Sequence, residues 1–165
     1  MNENRRDEIH HFLNKLNERE ISLGYAGFTI SRNMHLEDMQ LGYSMDSNGR
    51  SLVGTNHGEW RENWFVIGYH DESGDPIFID INKKSFSVYT AEHGIGEWNP
   101  KAISSSFIGF IKISNYLAEL SKRTEDTLTN RNSQLSIVDK IILLIKILYY
   151  TKRINIPFWF GYFLK

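Results

Sequence analysis

Four carboxylates, Asp71, Glu72, Asp75 and Asp80, fall within ten residues around a Gly74-Asp75-Pro76 turn. Carboxylates this close can hold a hard cation or meet a basic surface. A calcium-type loop places its ligands at alternate positions, and that spacing is absent, so a metal site is not expected. The competing reading is turn chemistry, in which Asp and Gly make the bend and Asp75 accepts from backbone amides near Pro76. Six histidines, His10, His11, His35, His57, His70 and His93, invite a zinc or hydrolase reading. No pair has the i, i+4 spacing around a glutamate that a zinc protease needs. His10 and His11 are helix neighbours and cannot both face one metal, whereas His70 and His93 could approach if the strands between them close into a sheet. A lone histidine in such a place is more often a hydrogen-bonding partner than a ligand.

Nucleophile chemistry finds no better footing. Cysteine is absent, which removes thiolates, cysteine metal sites and disulfides together. A Gly-x-Ser-x-Gly elbow does not occur, and Ser104, Ser105 and Ser106 are accounted for as helix caps. Gly94-Ile95-Gly96 lacks the strand–helix context and the lysine of a phosphate loop. No nucleophile, base and orienting group can be assembled, so the expectation is a binding protein with no catalytic residues, no cofactor and no metal.

Trp60, Trp64 and Trp98 could anchor such binding, since tryptophan is enriched at interface hot spots, or could fill the core. Trp64 lies in an apolar run and is expected inside. Trp60 and Trp98 flank glycine and charge, and Glu92, His93, Glu97 and Asn99 would give Trp98 a polar rim. The expected partner-binding residues are therefore Glu59, Glu62, Asp71, Glu72, Asp75, Glu92 and Glu97, together with Trp60 and Trp98.

Charge distribution sharpens the expectation. The net charge is −1, but residues 37–97 hold 11 acids against 4 bases, while residues 135–165 hold 1 acid against 5 bases. A negative centre repels nucleic-acid backbone and attracts cationic partners, so a basic protein is favoured over DNA or RNA. The chain has 165 residues, of which 41% are hydrophobic. That suits one domain with one good core, because two halves would each be of marginal size. The lack of cysteine, and the lack of an apolar stretch behind the basic residues Arg5 and Arg6, favour a cytoplasmic location without a signal peptide.

The elements that would position these residues read as α+β. Ile9, Phe12, Leu13 and Leu16 have helical spacing and predict a helix over 5–19, ended by Gly24. Tyr25 to Ile30 reads as a short strand. Residues 32–58 carry no clear period beyond a turn at Asp46-Ser47-Asn48-Gly49. Trp64 to Ile67 predicts a strand covered on both faces, followed by a turn over 68–74. A second strand runs from Ile77 to Ile81 and opens at Pro76. Asn82 to Ser85 turns the chain, and Phe86 to Thr90 forms a third strand. Short strands joined by turns predict an antiparallel meander. Ser104 to Ser106 cap a helix carrying Phe107, Phe110, Ile111, Leu117 and Leu120, and residues 121–133 read as a polar loop.

In order and spacing, several segments resemble the SUKH superfamily, which includes fungal cell-wall-assembly regulators and bacterial immunity proteins of polymorphic toxin systems. The residues carrying the likeness are Gln40-Leu41-Gly42-Tyr43-Ser44, Trp60, Trp64-Phe65-Val66-Ile67-Gly68, Gly74-Asp75-Pro76-Ile77-Phe78-Ile79-Asp80, Val88-Tyr89, His93-Gly94, Trp98 and Ser106-Phe107. They span roughly residues 36–120. The resemblance implies an α+β fold with a twisted, mainly antiparallel sheet and flanking helices. It also implies a protein that binds a cognate toxin, often a nuclease, and blocks it. The family shares no catalytic residues, so none is carried over. The chain departs from the pattern before Met34, where the Leu-Pro motif of many members is missing, and after Ser121. A regulatory or scaffold module acting on a cellular partner is the rival reading, discriminated by the presence or absence of a neighbouring effector gene.

The C-terminal block stands outside the likeness. Ile137 to Tyr150 is shorter than the roughly 20 residues that span a bilayer, and Asp139, Lys140 and Lys146 interrupt it. A buried helix is expected. Lys152, Arg153 and Trp159 would suit a membrane surface instead. Phe158, Trp159, Phe160, Tyr162 and Phe163 would form a homodimer contact if the tail is exposed.

Overall fold

The computed structural model describes residues 3–23, 26–31, 35–125, 135–152 and 158–159. Helix α1 (Glu3–Leu13) leads into strands β1 (Glu20–Leu23), β2 (Ala26–Ile30), β3 (Trp64–His70), β4 (Pro76–Asp80), β5 (Val88–Thr90) and β6 (Lys101–Ser104), followed by α2 (Phe107–Glu125) and α3 (Ile137–Thr151). The strands form one antiparallel sheet in sequence order, β1 to β6. The class is α+β, a twisted antiparallel meander flanked by helices, as the sequence predicts.

Side chains alternate across the pleat, and both faces are covered. Phe65, Ile67, Ile77, Ile79 and Val88 point to the helices and join Ile9, Leu13, Phe28, Ile103, Phe110, Leu117, Leu143, Ile147 and Trp159 in the main core. Trp64, Val66, Phe78 and Tyr89 point the other way, into a second cluster built with Trp60, Ala91, Tyr43, Met39 and Trp98. Every residue of β4 is buried, which is why Pro76 to Ile79 is uninterruptedly apolar. At the β3–β4 register shift, Gly68 passes so close to β2 that an added Cβ would meet the Thr29 carbonyl oxygen at 2.3 Å.

Helix α2 is capped as expected: the Gly109 amide donates to Ser106 Oγ at 3.2 Å. Its Phe110 ring meets Phe28 of the sheet at 5.8 Å. An added Cβ on Gly109 would lie 2.2 Å from the Tyr150 carbonyl oxygen, so glycine sets the close approach of α2 to the end of α3. Ser136 caps α3, accepting from the Asp139 amide at 3.0 Å, and Lys152 ends it in a left-handed conformation, φ 58°.

Several boundaries differ from the sequence reading. The first helix stops at Leu13 because the chain then turns by i→i−3 bonds and is clasped by α2: Asn17 N donates to Asn115 Oδ1, and Asn115 Nδ2 donates to the Lys15 carbonyl. Glu20–Leu23, unread as a strand, alternates exposed and buried residues and pairs with β2. Strand β3 runs on to His70, so the turn begins at Asp71. Phe86 is not in a strand; it sits in the turn at φ 47° with its ring buried. Strand β6 (Lys101–Ser104) likewise goes beyond the strands the sequence predicts. Helix α2 continues past Ser121 to Glu125, and the rest of the expected polar loop lies outside the described residues.

The largest departure is α3. Leu143, Ile147 and Thr151 face the core, but Ile137, Val138, Ile141, Ile142, Ile145 and Tyr149 are exposed, so the helix is buried on one face only. Trp159 is buried, with Nε1 donating to the Ile103 carbonyl at 2.9 Å, so it belongs to the core and not to a surface patch. Phe160, Tyr162, Phe163 and Arg153 lie outside the described residues. Among the described residues, no helix is long and apolar enough to cross a membrane.

Candidate partner-binding site: an aromatic floor with an acidic rim

On the sheet face away from the helices, four loops converge over aromatic rings. Trp60, only 1% exposed, is the centre. Its ring lies 4.9 Å from Phe78, 5.0 Å from Trp98, 5.4 Å from Trp64 and 5.9 Å from Tyr43, and its Nε1 donates to the Trp64 carbonyl at 3.2 Å. The contacts to Trp64 and Trp98 are edge-on, a geometry that adds to the burial energy of each ring. Trp60 therefore forms the floor and is not itself a contact residue, correcting its placement at the partner surface. Trp64, expected in the core, packs into this cluster and is partly buried.

Three hydrogen bonds tie the loops together. Tyr43 OH donates to the Gly74 carbonyl at 2.7 Å, joining the loop at 41–45 to the β3–β4 turn. Asp75 Oδ1 accepts from the His93 amide at 2.7 Å, joining that turn to the loop at 91–98. Trp98 N donates to the Gly58 carbonyl at 2.7 Å, joining 91–98 to the loop at 54–60. Gly58 has φ 79°, and an added Cβ would lie 2.8 Å from Glu97 Cβ, so glycine is required where these two loops meet. Burial, then the Asp75 carboxylate, push the Tyr43 hydroxyl above its ordinary value, so it stays protonated and donating at neutral pH.

The expected site residues divide into two groups. Asp75 is structural: it bonds a backbone amide as turn chemistry predicts, but that of His93 and not one beside Pro76. Glu59 staples its own loop, accepting from Asn56 N at 2.7 Å and Asn56 Nδ2 at 3.0 Å, and these bonds hold its carboxyl below the usual range. Glu92 pairs with Lys101 at 2.6 Å. Asp80 is nearly buried, accepting from Asn63 Nδ2 and the Asn82 amide at the opposite end of β4. The outward carboxylates are Asp71, which accepts from Thr29 Oγ1 at 2.7 Å, Glu72 on the turn, Glu62, and Glu97 with His57 at 4.0 Å. Glu62 and Glu72 join none of the ion pairs formed among the described residues. Trp98 is half-buried and open at the rim.

Sequence reasoning does not assign four contributors to the site. Tyr43 sits in the stretch 32–58, which shows no period, and enters the sequence reading only within the Gln40–Ser44 motif, not as a site residue. Leu41, Leu52 and Val53 are exposed apolar residues of that stretch. Beside them a groove of about 390 Å³ runs along Arg6, Gln40, Met45, Glu62 and Trp64. His70 and His93 do not come together: His70 faces Phe158 at 5.1 Å, while His93 lies against Tyr43 and Trp98. Among the described residues no three His, Asp or Glu side chains are placed to hold a metal.

The arrangement offers acceptors on a stiff aromatic base. It can take lysine or arginine from a partner while Trp98 and the exposed leucines meet apolar surface. No family model, curated protein or solved structure matches this chain.

Proposed function

We propose that the chain is an immunity protein of a bacterial polymorphic toxin system, acting in the cytoplasm, which binds a cognate toxin and blocks it by occlusion. The expected target is a basic domain, with a nuclease as the first candidate. The observation that carries this reading is the convergence of four loops on Trp60 and Tyr43, with Trp98 and Glu97 open beside them and Asp71 and Glu72 exposed on the β3–β4 turn that Tyr43 reaches through Gly74. Carboxylates at a rim speed encounter with a basic surface and fix orientation, while a few aromatic and aliphatic contacts hold the complex. Loops tied by hydrogen bonds lose little freedom on binding, which favours tight association. The motif order within residues 36–120 supports the same role through its SUKH resemblance, and the negative charge of that segment disfavours nucleic acid as the direct partner.

Co-expression tests it. Cells making the neighbouring effector should survive when this protein is supplied and die without it. Survival unaffected by this protein would end the proposal.

A further inference from the structure

The outward face of α3 is left uncovered by the described residues. Val138 is 63% exposed, Ile145 60% and Tyr149 76%, and Ile137, Ile141 and Ile142 extend the same surface. Together they expose on the order of 600–700 Å², at or beyond the roughly 300–600 Å² of the largest apolar patch on an ordinary monomer.

We propose that this face is the contact of a homodimer, in which α3 of one copy lies antiparallel on α3 of a second. Three observations select this occupant. First, two such faces pressed together would bury up to about 1,200–1,400 Å², the lower end of the range of specific interfaces. Second, Val138, Ile142, Ile145 and Tyr149 are spaced by four, three and four residues, the spacing of a seam that packs against another helix. That spacing reads the same in both directions about a point between Leu143 and Leu144. A two-fold axis there sets Val138 against Tyr149 of the second copy and Ile142 against Ile145, so each end of the seam finds its complement in an identical chain. Third, two of the three charged side chains of α3 are turned back onto their own protein. Lys146 Nζ lies 4.6 Å from the Tyr116 ring centre, and Asp139 pairs with Arg123 at 3.0 Å. A lipid surface would call for lysines fanned along the apolar stripe; a neutral seam suits a neutral copy of itself. The aromatic floor lies on the other side of the sheet, so dimerisation leaves both acidic rims open, and the inference stands independently of what binds there.

The chain has no cysteine, which makes cross-linking clean. Val138→Cys mixed with Tyr149→Cys should form a disulfide between copies under mild oxidation. Either variant alone should not, because like residues then lie about 16 Å apart, well beyond the roughly 7 Å limit for a bridge. Sedimentation equilibrium of the unmodified protein should give twice the chain mass. Ile145→Glu should raise the dissociation constant roughly tenfold or more, with an unchanged far-ultraviolet spectrum. Val138→Glu, at a site with little contact to the core, repeats the test should Ile145→Glu fold poorly. A one-chain mass at all concentrations, a disulfide formed by Val138→Cys alone, or a one-chain species that sediments with anionic phosphatidylglycerol vesicles would each overturn the proposal.

Discussion

The side-chain amide of Gln40 pairs with both backbone groups of Val66: Nε2 donates to the Val66 carbonyl at 2.9 Å, and Oε1 accepts from the Val66 amide at 3.1 Å. The β2–β3 ladder ends at Ile30 opposite Gly68, so beyond it Gln40 takes the place of a neighbouring strand. A further bond from Nε2 to the Leu36 carbonyl at 2.8 Å fixes the amide's orientation. Through this residue the stretch that bears Tyr43 is fastened to the sheet.

Gln40→Ala would leave the Val66 amide and carbonyl buried and unmet. A loss of about 2–4 kcal/mol is expected, read from the urea midpoint. Gln40→Glu should be more destabilising at pH 8 than at pH 5, because only the protonated acid can still donate to Val66.

Trp60 and Trp98 touch at 5.0 Å but should behave differently. Trp60→Ala removes a fully buried ring and should cost about 3–5 kcal/mol of stability. Trp98→Ala removes a half-exposed ring and should cost clearly less in a thermal melt, while weakening partner binding more than any other single change at the rim.

Much of this fold can be read from the sequence because period and punctuation agree there. Trp64 to Ile81 shows two apolar runs split by Asp-Glu-Ser-Gly, and its hairpin follows. Glu20–Leu23 and Lys101–Ser104 are four-residue strands with two buried positions or fewer outside the sheet's centre, too short for a period to emerge. The segment 35–62 is held by single side chains such as Gln40 and by Tyr43, and bonds at long sequence separation leave no local pattern. The site was legible as acidic composition and tryptophan placement, but composition cannot tell a carboxylate that caps an amide, such as Asp75, from one that faces outward, such as Glu72. The outer face of α3 reads as core for the same reason: apolar residues all round a helix do not say which neighbour covers them.

Gly109→Ala tests how α3 is seated. The new methyl would press on the Tyr150 carbonyl, which is backbone and cannot swing aside. The expected result is a loss of roughly 1–3 kcal/mol by overpacking, with faster hydrogen exchange in α3 and little change in β3 and β4.

His70 sets a pH dependence. Burial lowers its pKa below the ordinary value, and Asp75, Asp71 and Glu72 oppose that shift only in part. The unfolded chain therefore takes up this proton first as pH falls past about 6.5, and stability is lost there until the folded ring also protonates. Chemical denaturation between about pH 7.5 and 5.5 should show the decline. His70→Gln should flatten that part of the difference.

The role of the acidic rim is tested most directly by calorimetric titration of the protein against the toxin domain of the neighbouring effector at rising ionic strength. The predicted result is a tight complex that weakens as salt rises. Glu72→Lys combined with Glu97→Lys should reduce the affinity roughly tenfold or more, and Ile145→Glu on the opposite side of the molecule should leave it intact. Affinity insensitive to salt, or undiminished by the two charge reversals, would contradict the account.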